Sequence, residues 1–203
     1  LRLAKPGVRE LDLAAEIEYR MRRGGASAPA FDTIVASGVR SALPHGRATA
    51  KSLRKNELVV FDLGAILRGY CSDLTRTVYL GRAPKRVRRW YQAVLEAQAA
   101  ACDALRPGAT AGEIDAAARR ILRRQGLGRY FTHSTGHGLG LEVHEEPKLA
   151  AKQQSRIEAG NVVTIEPGIY LPGTGGIRIE DDVAVTPHGP EVLTRAPREL
   201  IEI

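Results

Sequence analysis

A chain of 203 residues with 43% hydrophobic side chains is long enough for one sizeable core. No apolar run approaches the ~20 residues that span a bilayer and no signal peptide is visible, while the two cysteines, Cys71 and Cys102, make neither a disulfide framework nor a metal spacing, which points to a reducing, cytoplasmic setting. The 30 Lys+Arg exceed the 23 Asp+Glu to give +7, but the excess sits largely in two helix-like runs, Lys85 to Arg89 and Arg119 to Arg124, without interleaved aromatics; it reads as solvated helix surface and not as a nucleic-acid footprint.

In chain order, Leu3 to Gly25 reads as a Pro-Gly turn, an amphipathic helix and a glycine stop. The pattern returns from Leu105 to Gly126. At one constant offset Pro6-Gly7 falls on Pro107-Gly108, Ala15 on Ala116, Met21 on Leu122, Arg22-Arg23 on Arg123-Arg124 and Gly25 on Gly126. Thr110 and Glu113 form a capping box in the second copy, whereas the first has Arg9 and Asp12 there. A strand-like run follows each helix, Phe31 to Ser37 and Tyr130 to Thr135, and each half then reaches a histidine, His45 or His144. The chain thus reads as a duplication with a pseudo-two-fold. A further helix, about Lys85 to Leu105 with the stripe Val87, Trp90, Val94, Ala101 and Leu105, precedes the second copy. By symmetry a helix of ~20 residues is expected upstream of Leu1, so the chain is expected to be an N-terminally incomplete piece.

The acids repeat as well. Glu57 to Leu80 reads as two strands around a tight Leu67-Arg68-Gly69 turn, which brings Asp62 and Asp73 roughly opposite one another. Like charges facing across a sheet among Val59, Val60, Phe61, Leu63 and Leu74 are costly unless a cation neutralises them. Val162 to Tyr170 and Gly176 to Val185 form a second strand pair, carrying Glu166 and Glu180. Alternation puts Arg178, Glu180 and Asp182 on one face and Ile177 and Ile179 on the other. For Glu180 alone, a surface pair with Arg178 is the competing reading.

Between these hairpins lies His133-Ser-Thr-Gly-His-Gly-Leu-Gly-Leu-Glu-Val-His-Glu-Glu-Pro147, with three of the five histidines: His133, His137 and His144. Glycines 136, 138 and 140 permit close backbone approach. Such a stretch suggests a metal or proton-transfer site, with a Gly/His-rich surface loop as the alternative. Four carboxylates with one imidazole carry more negative charge than one divalent ion offsets, so two ions with bridging carboxylates are expected. The oxygen-rich set favours Mn²⁺, with Zn²⁺, Co²⁺ or Fe²⁺ compatible. The chemistry such a site supports is hydrolysis by a metal-bridged hydroxide.

The order and spacing of Asp62, Asp73, His137, Glu166 and Glu180, with His45 ahead and His144 behind, resemble the pita-bread metallopeptidases. That family comprises methionine aminopeptidases, Xaa-Pro aminopeptidases and Xaa-Pro dipeptidases (prolidases). The likeness runs from the Pro6-Gly7 helix to Leu200–Ile203. It implies an α+β fold with a curved antiparallel sheet, helices on its outer face and the acids on its inner face, residues 1–203 being one catalytic domain. It further implies that Asp62 chelates one metal, Asp73 and Glu180 bridge both, and His137 and Glu166 bind the other. Glu166 would also be the general base, His144 the oxyanion donor, His45 a substrate-positioning residue and Arg178 an orienting partner of a carboxylate. Methionine aminopeptidases typically carry Cys-Gly-His-Gly around the ligand histidine. Here His133-Ser-Thr-Gly-His137-Gly and Tyr70-Cys-Ser-Asp-Leu-Thr-Arg-Thr77 are similar to the proline-specific branch, in which the extra histidine lies near the substrate. The implied partner is a peptide with proline second, with no nucleic acid or membrane and with a homodimer compatible. Proline-specific members also carry a separate N-terminal domain, of which these residues contain nothing. The competing readings are methionine aminopeptidase-like processing, a non-catalytic binding module of the same fold, and an inactive truncated fragment.

Overall fold

The computed structural model describes residues 1–203. Its elements run α1 (Glu10–Arg23), β1 (Ala28–Pro29), β2 (Ile34–Ser37), β3 (Glu57–Leu63), β4 (Ala65–Leu67), β5 (Tyr70–Cys71), β6 (Leu74–Leu80) and α2 (Lys85–Ala104). They continue with α3 (Ala111–Arg124), β7 (Gly136–Gly138), β8 (Glu145–Leu149), β9 (Val162–Ile165), β10 (Gly168–Leu171), β11 (Gly175–Arg178), β12 (Asp181–Thr186), β13 (Gly189–Val192) and β14 (Ile201–Glu202). No helix is long and apolar enough to cross a membrane.

The duplication is visible in the strand order. Of four sheets, the two largest run β14-β6-β3-β2 and β13-β12-β9-β7-β8, so β6-β3-β2 corresponds to β12-β9-β7; β1-β4-β5 and β10-β11 are the small ones. Pairing is antiparallel except for β14, which lies parallel to β6. The expected antiparallel framework is built from these two larger sheets, which meet at a seam. There the Glu180 amide donates to the Thr75 carbonyl and the Arg178 amide to Thr77 Oγ1, which in turn donates to the Arg178 carbonyl.

Alternation along the strands decides which side chains enter the seam. Val59 and Phe61 of β3, with Val78 and Leu80 of β6, pack under α1 against Leu13, Ala14 and Leu53. Asp62, one residue out of phase with them, faces inward. In the second half Ile177, Ile179, Val183 and Val185 pack under α2 and α3 with Tyr91, Val94, Ala97, Ile114, Ala118 and Leu122. That leaves Arg178, Glu180 and Asp182 on the inner face. Helix α3 opens with the full capping box of Thr110 and Glu113, and α1 opens at Arg9 with no side-chain cap. Of the expected α2 stripe, Val87, Val94, Ala101 and Leu105 are buried, and half-buried Trp90 lies under the Arg86 guanidinium.

Three expectations need correcting. Asp62 stands opposite Thr75, and Asp73 lies just past the end of the β3–β6 ladder, diagonal to Asp62 on the same face. Each long strand expected in the second half breaks at its acid, β9 from β10 at Glu166-Pro167 and β11 from β12 at Ile179-Glu180. Pro167 cannot donate to a ladder, and the Glu166 and Glu180 amides donate instead to the carbonyls of Thr135 and Thr75. Finally, Tyr130 to Thr135 is not a strand: Tyr130 closes a 3-10 turn and pairing begins only at Gly136. The tight hairpin turn is present, with Arg68 and Gly69 both at positive φ as a two-residue connection demands.

Gly64 joins β3 to β4 where the chain crosses its return strand. A Cβ there would lie 2.1 Å from the Ser72 carbonyl oxygen and 2.6 Å from the Phe31 ring, so backbone has to move. Gly64→Ala is expected to cost about 1–3 kcal/mol, read as a lowered denaturation midpoint, together with weakened metal retention because Asp62 and Asp73 flank the displaced crossing.

Candidate metal centre

One cavity of about 1170 Å³ opens at the seam, and every site residue expected from the sequence lines it: His45, Asp62, Asp73, His133, His137, His144, Glu166, Arg178 and Glu180. Asp62, Asp73, His137, Arg178 and Glu180 are buried, while His45 and His144 are exposed on its wall. The donor atoms of Asp73, His137 and Glu180 lie within 4.8 Å of one another. His137 Nε2 is 3.7 Å from Asp73 Oδ2 and 3.5 Å from Glu166 Oε1. Asp62 stands outside this tightest cluster, tied to Arg178 Nη2 at 2.6 Å. The surface-pair alternative for Arg178 and Glu180 fails: both are buried, and the guanidinium serves Asp62.

Backbone amides hold the donors in place. The His137 amide donates to Thr164 Oγ1, that of Asp73 to Asp182 Oδ2, and Thr75 Oγ1 donates to Glu180 Oε2. His137 Nδ1 contacts its neighbour's carbonyl at Gly138, leaving Nε2 aimed at the carboxylates. Gly136 and Gly138 allow this approach: a Cβ would lie 1.9 Å from the Thr164 carbonyl oxygen at the first and 2.3 Å from that of Glu146 at the second.

The electrostatics fit a cation. Burial pushes the Asp73 carboxyl up to about 9, with Asp62, Glu166 and Asp182 adding to it. Burial likewise raises Glu166 to about 7 and Glu180 well above its ordinary range, the latter with Asp73 next in effect. Burial also opposes the Arg178 cation, but Tyr170 and the carboxylates outweigh it. Oδ1 of Asp62 and Oδ1 of Asp73 are buried and have no hydrogen-bond partner. Buried carboxylate oxygens need partners, and a hard divalent ion with oxygen and imidazole ligands is the partner this donor set suits.

The structure adds residues that were not singled out in the sequence. Tyr170 Oη accepts from Arg178 Nη1 at 2.7 Å and lies 2.8 Å from His133 Nε2. As guanidinium only donates, the Tyr170 proton goes to His133 Nε2, and His133 Nδ1 carries the proton shared with the Ser134 carbonyl. Burial holds His133 down to about 4, consistent with this neutral form. Asp182, raised to about 7 by burial, fixes the Asp73 amide and has an unpartnered Oδ1 of its own. Strand alternation had placed Asp182 on the right face; for Tyr170 there was no signal beyond its place in the Glu166 strand.

Residues 1–187 match the model of metallopeptidase family M24. The chain belongs to this family. It is 51% identical over 195 residues to the Xaa-Pro dipeptidase of Pyrococcus furiosus, which covers 96% of the chain and 56% of that relative. It superposes on an Xaa-Pro dipeptidase from Bacillus anthracis with a TM-score of 0.96 at 49% identity, over 98% of this chain and 56% of the other. For an X-Pro aminopeptidase from Thermotoga maritima the TM-score is 0.97 at 44% identity, over 100% and 57%. The chain thus spans little more than half the length of the relatives it matches. The pita-bread α+β fold expected from the sequence is the fold of this chain, and the family is metal-dependent.

Asp73 and Glu166 set a pH dependence for the metal-free protein. Each holds a proton in the fold, to about 9 and about 7, that the unfolded chain releases at ordinary carboxylate values, so their contribution to stability declines as pH rises. His133, held near 4 when folded against an ordinary 6.5, acts oppositely and offsets the trend below 6.5. Above that point the carboxyls dominate. The metal-free protein should therefore melt at a lower temperature near pH 9 than near pH 6.5, and an added divalent ion should close the gap by displacing the protons. Thermal melts with chelator and with metal check this.

Proposed function

We propose that this chain is the catalytic domain of a dinuclear metallopeptidase that hydrolyses the peptide bond preceding proline, in a dipeptide or at the N-terminus of a longer peptide. The observation that carries the reading is the convergence of four carboxylates and His137 on one cavity, with buried carboxylate oxygens aimed inward and unpartnered. The names of the relatives supply the substrate class. We assign Asp62 to one ion, Asp73 and Glu180 to a bridging position, and His137 and Glu166 to the second ion. Mn²⁺ is the ion best suited to this set, and Zn²⁺, Co²⁺ and Fe²⁺ are compatible. When bound, such a pair activates water and polarises the scissile carbonyl.

The residues of the chain then take distinct roles. Glu166, whose Oε1 lies 3.5 Å from His137 Nε2, is the group we assign to accept a proton from the attacking water. His144, exposed on the wall with its ring 4.3 Å from that of His137, donates to the carbonyl oxygen as negative charge develops there. Exposed His45 positions the substrate backbone or the leaving group. Arg178 orients Asp62, and His133, neutral and fixed by Tyr170, borders the substrate.

The complete donor set weighs against a non-catalytic binding role, and His133 in place of the Cys-Gly pattern weighs against methionine aminopeptidase-like processing. Nucleic acid is not the partner we assign. Part of each basic run is engaged within the protein, Arg119 with Asp115, Arg88 with Glu202 and Arg86 over Trp90, and no aromatics interleave the rest. Unpaired Cys71 and Cys102 fit a cytoplasmic setting.

Metal-to-protein ratios test the assignment. Replacing Asp73 or Glu180 should lose more than one ion, while replacing Asp62 or His137 should mainly weaken one. Equal losses in all four variants would remove the bridging roles. In a kinetic test, His144→Ala should retain metal while kcat falls by roughly 10²–10³, whereas Glu166→Gln should lose both metal and rate. Preferential cleavage of Met-Ala over Xaa-Pro peptides by the Mn²⁺-loaded protein would overturn the substrate class and leave the dinuclear reading standing.

A further inference from the structure

Segment 131–135 makes few backbone pairings with strands, and its polar groups turn to α3. Asp115, 1% exposed, accepts from the Thr135 amide at 3.2 Å and Thr135 Oγ1 at 2.9 Å through Oδ1, and from Arg119 Nε at 2.6 Å through Oδ2. The same Arg119 guanidinium donates to the carbonyls of Phe131 and His133. It also lies 4.3 Å over the Phe131 ring, which meets the His133 ring edge-on with centroids 5.2 Å apart. One ion pair on one helical turn thus grips residues 131, 133 and 135 in succession, with His133 in the middle. Neither Asp115 nor Arg119 lines the cavity.

The other half holds a comparable device. Glu10 of α1, fully buried, accepts from the Ser37 amide and hydroxyl, the Thr49 amide and hydroxyl, and Arg40 Nε. Those contacts bracket the loop that carries His45. Two helices on the outer face therefore each send one buried carboxylate to a segment bearing a cavity histidine; the arginine it meets lies on α3 itself in the second half and on the segment, at Arg40, in the first.

We propose that Asp115 and Arg119 are positioning residues for His133: the pair fixes the backbone on both sides of the imidazole, so that Nε2 meets Tyr170 and the ring edge faces the substrate. Strand bonds reach the segment only at Thr135, to Leu149 and Glu166, so without the pair residues 131–134 have no strand to hold them and the ring loses its single orientation and tautomer. The kinetic half of the claim rests on the peptidase reading given above; the structural half does not.

The test uses the full chain. Asp115→Asn keeps the shape of the side chain but places an amide or an uncharged oxygen against Arg119. Arg119→Lys keeps the ion pair yet cannot span both carbonyls, and serves if the first variant fails to fold. Nitrogen-15 spectra of the histidines, with His133→Ala assigning the resonance, should show one Nδ1–H tautomer in the parent protein. In either variant it should move toward a mixture of tautomers, while circular dichroism and metal content stay at parental values. In peptide hydrolysis each variant should lose roughly 10- to 100-fold in kcat/KM. The loss should not add to that of His133→Ala, the double variant being no worse than His133→Ala alone. An unchanged His133 resonance, or fully additive losses, would overturn the proposal. A parent chain without Xaa-Pro activity but with the expected shift would instead remove the peptidase reading and leave the positioning role intact.

Discussion

Four acidic side chains, Asp62, Asp73, Glu166 and Glu180, share one cavity with one buried guanidinium, Arg178, whose only carboxylate partner is Asp62. Desolvated like charges at this spacing cannot all ionise without a cation; the fold's alternatives are to keep protons on some of them or to bind metal. The upward shifts of Asp73, Glu166 and Glu180 are the first alternative written out. The unpartnered oxygens of Asp62 and Asp73 are the donors available to the second. Metal binding, proton release and stability are consequently one linked equilibrium, in which the protein without cation is the strained member.

The backbone is arranged to make this concentration of charge reproducible. Three of the carboxylates stand where a strand ends or breaks, and their amides are satisfied across the seam or by a neighbouring segment: Asp73 by Asp182, Glu166 by Thr135, Glu180 by Thr75. A residue inside a regular ladder has its position set by its neighbours on the same strand. These have theirs set by a partner from elsewhere in the chain, so each donor is referenced to another part of the site. Pro167 beside Glu166, and the glycines either side of His137, are what the sequence supplies for such departures from regular pairing.

Much of this was legible in the sequence. Strand alternation placed Arg178, Glu180 and Asp182 on one face and Ile177 and Ile179 on the other, because burial under α2 leaves no other assignment for the isoleucines. The capping box at Thr110 marked the start of α3. What failed was local. Tyr130 to Thr135 has the composition of a strand, but the carbonyls of Phe131 and His133 and the Thr135 hydroxyl are taken by Arg119 and Asp115, and nothing within the segment announces that. Asp62 was expected opposite Asp73 and stands opposite Thr75, because the crossing at Gly64 sets the register and a hairpin centred on Arg68 gives only its approximate value. Tyr170 was missed since its role depends on three residues distant in sequence or on another strand, His133, Arg178 and Asp62.

The duplication explains why the site lies where it does. Each half contributes two carboxylates from equivalent strands, β3 with β6 and β9 with β12, and neither half alone gathers the donor set. The cluster of Asp73, His137 and Glu180 already crosses the boundary. The two sheets meet through Thr75 and Thr77 of β6, whose hydroxyls and carbonyls are bonded to Arg178 and Glu180. The seam is thus built from hydroxyl and backbone groups that can lie beside carboxylates, where an apolar seam would have raised the cost of ionising them further. The halves differ in one respect that decides the chemistry: only the second brings His137 and His133, each buried or half-buried, whereas His45 of the first stays at the exposed rim. The carboxylates are thus shared evenly, two from each half, and the asymmetry lies in the imidazoles that the second half adds beside its pair. The one imidazole buried among the carboxylates, that of His137, is therefore set against Asp73 of the other half, and the donor cluster exists only where the two halves meet.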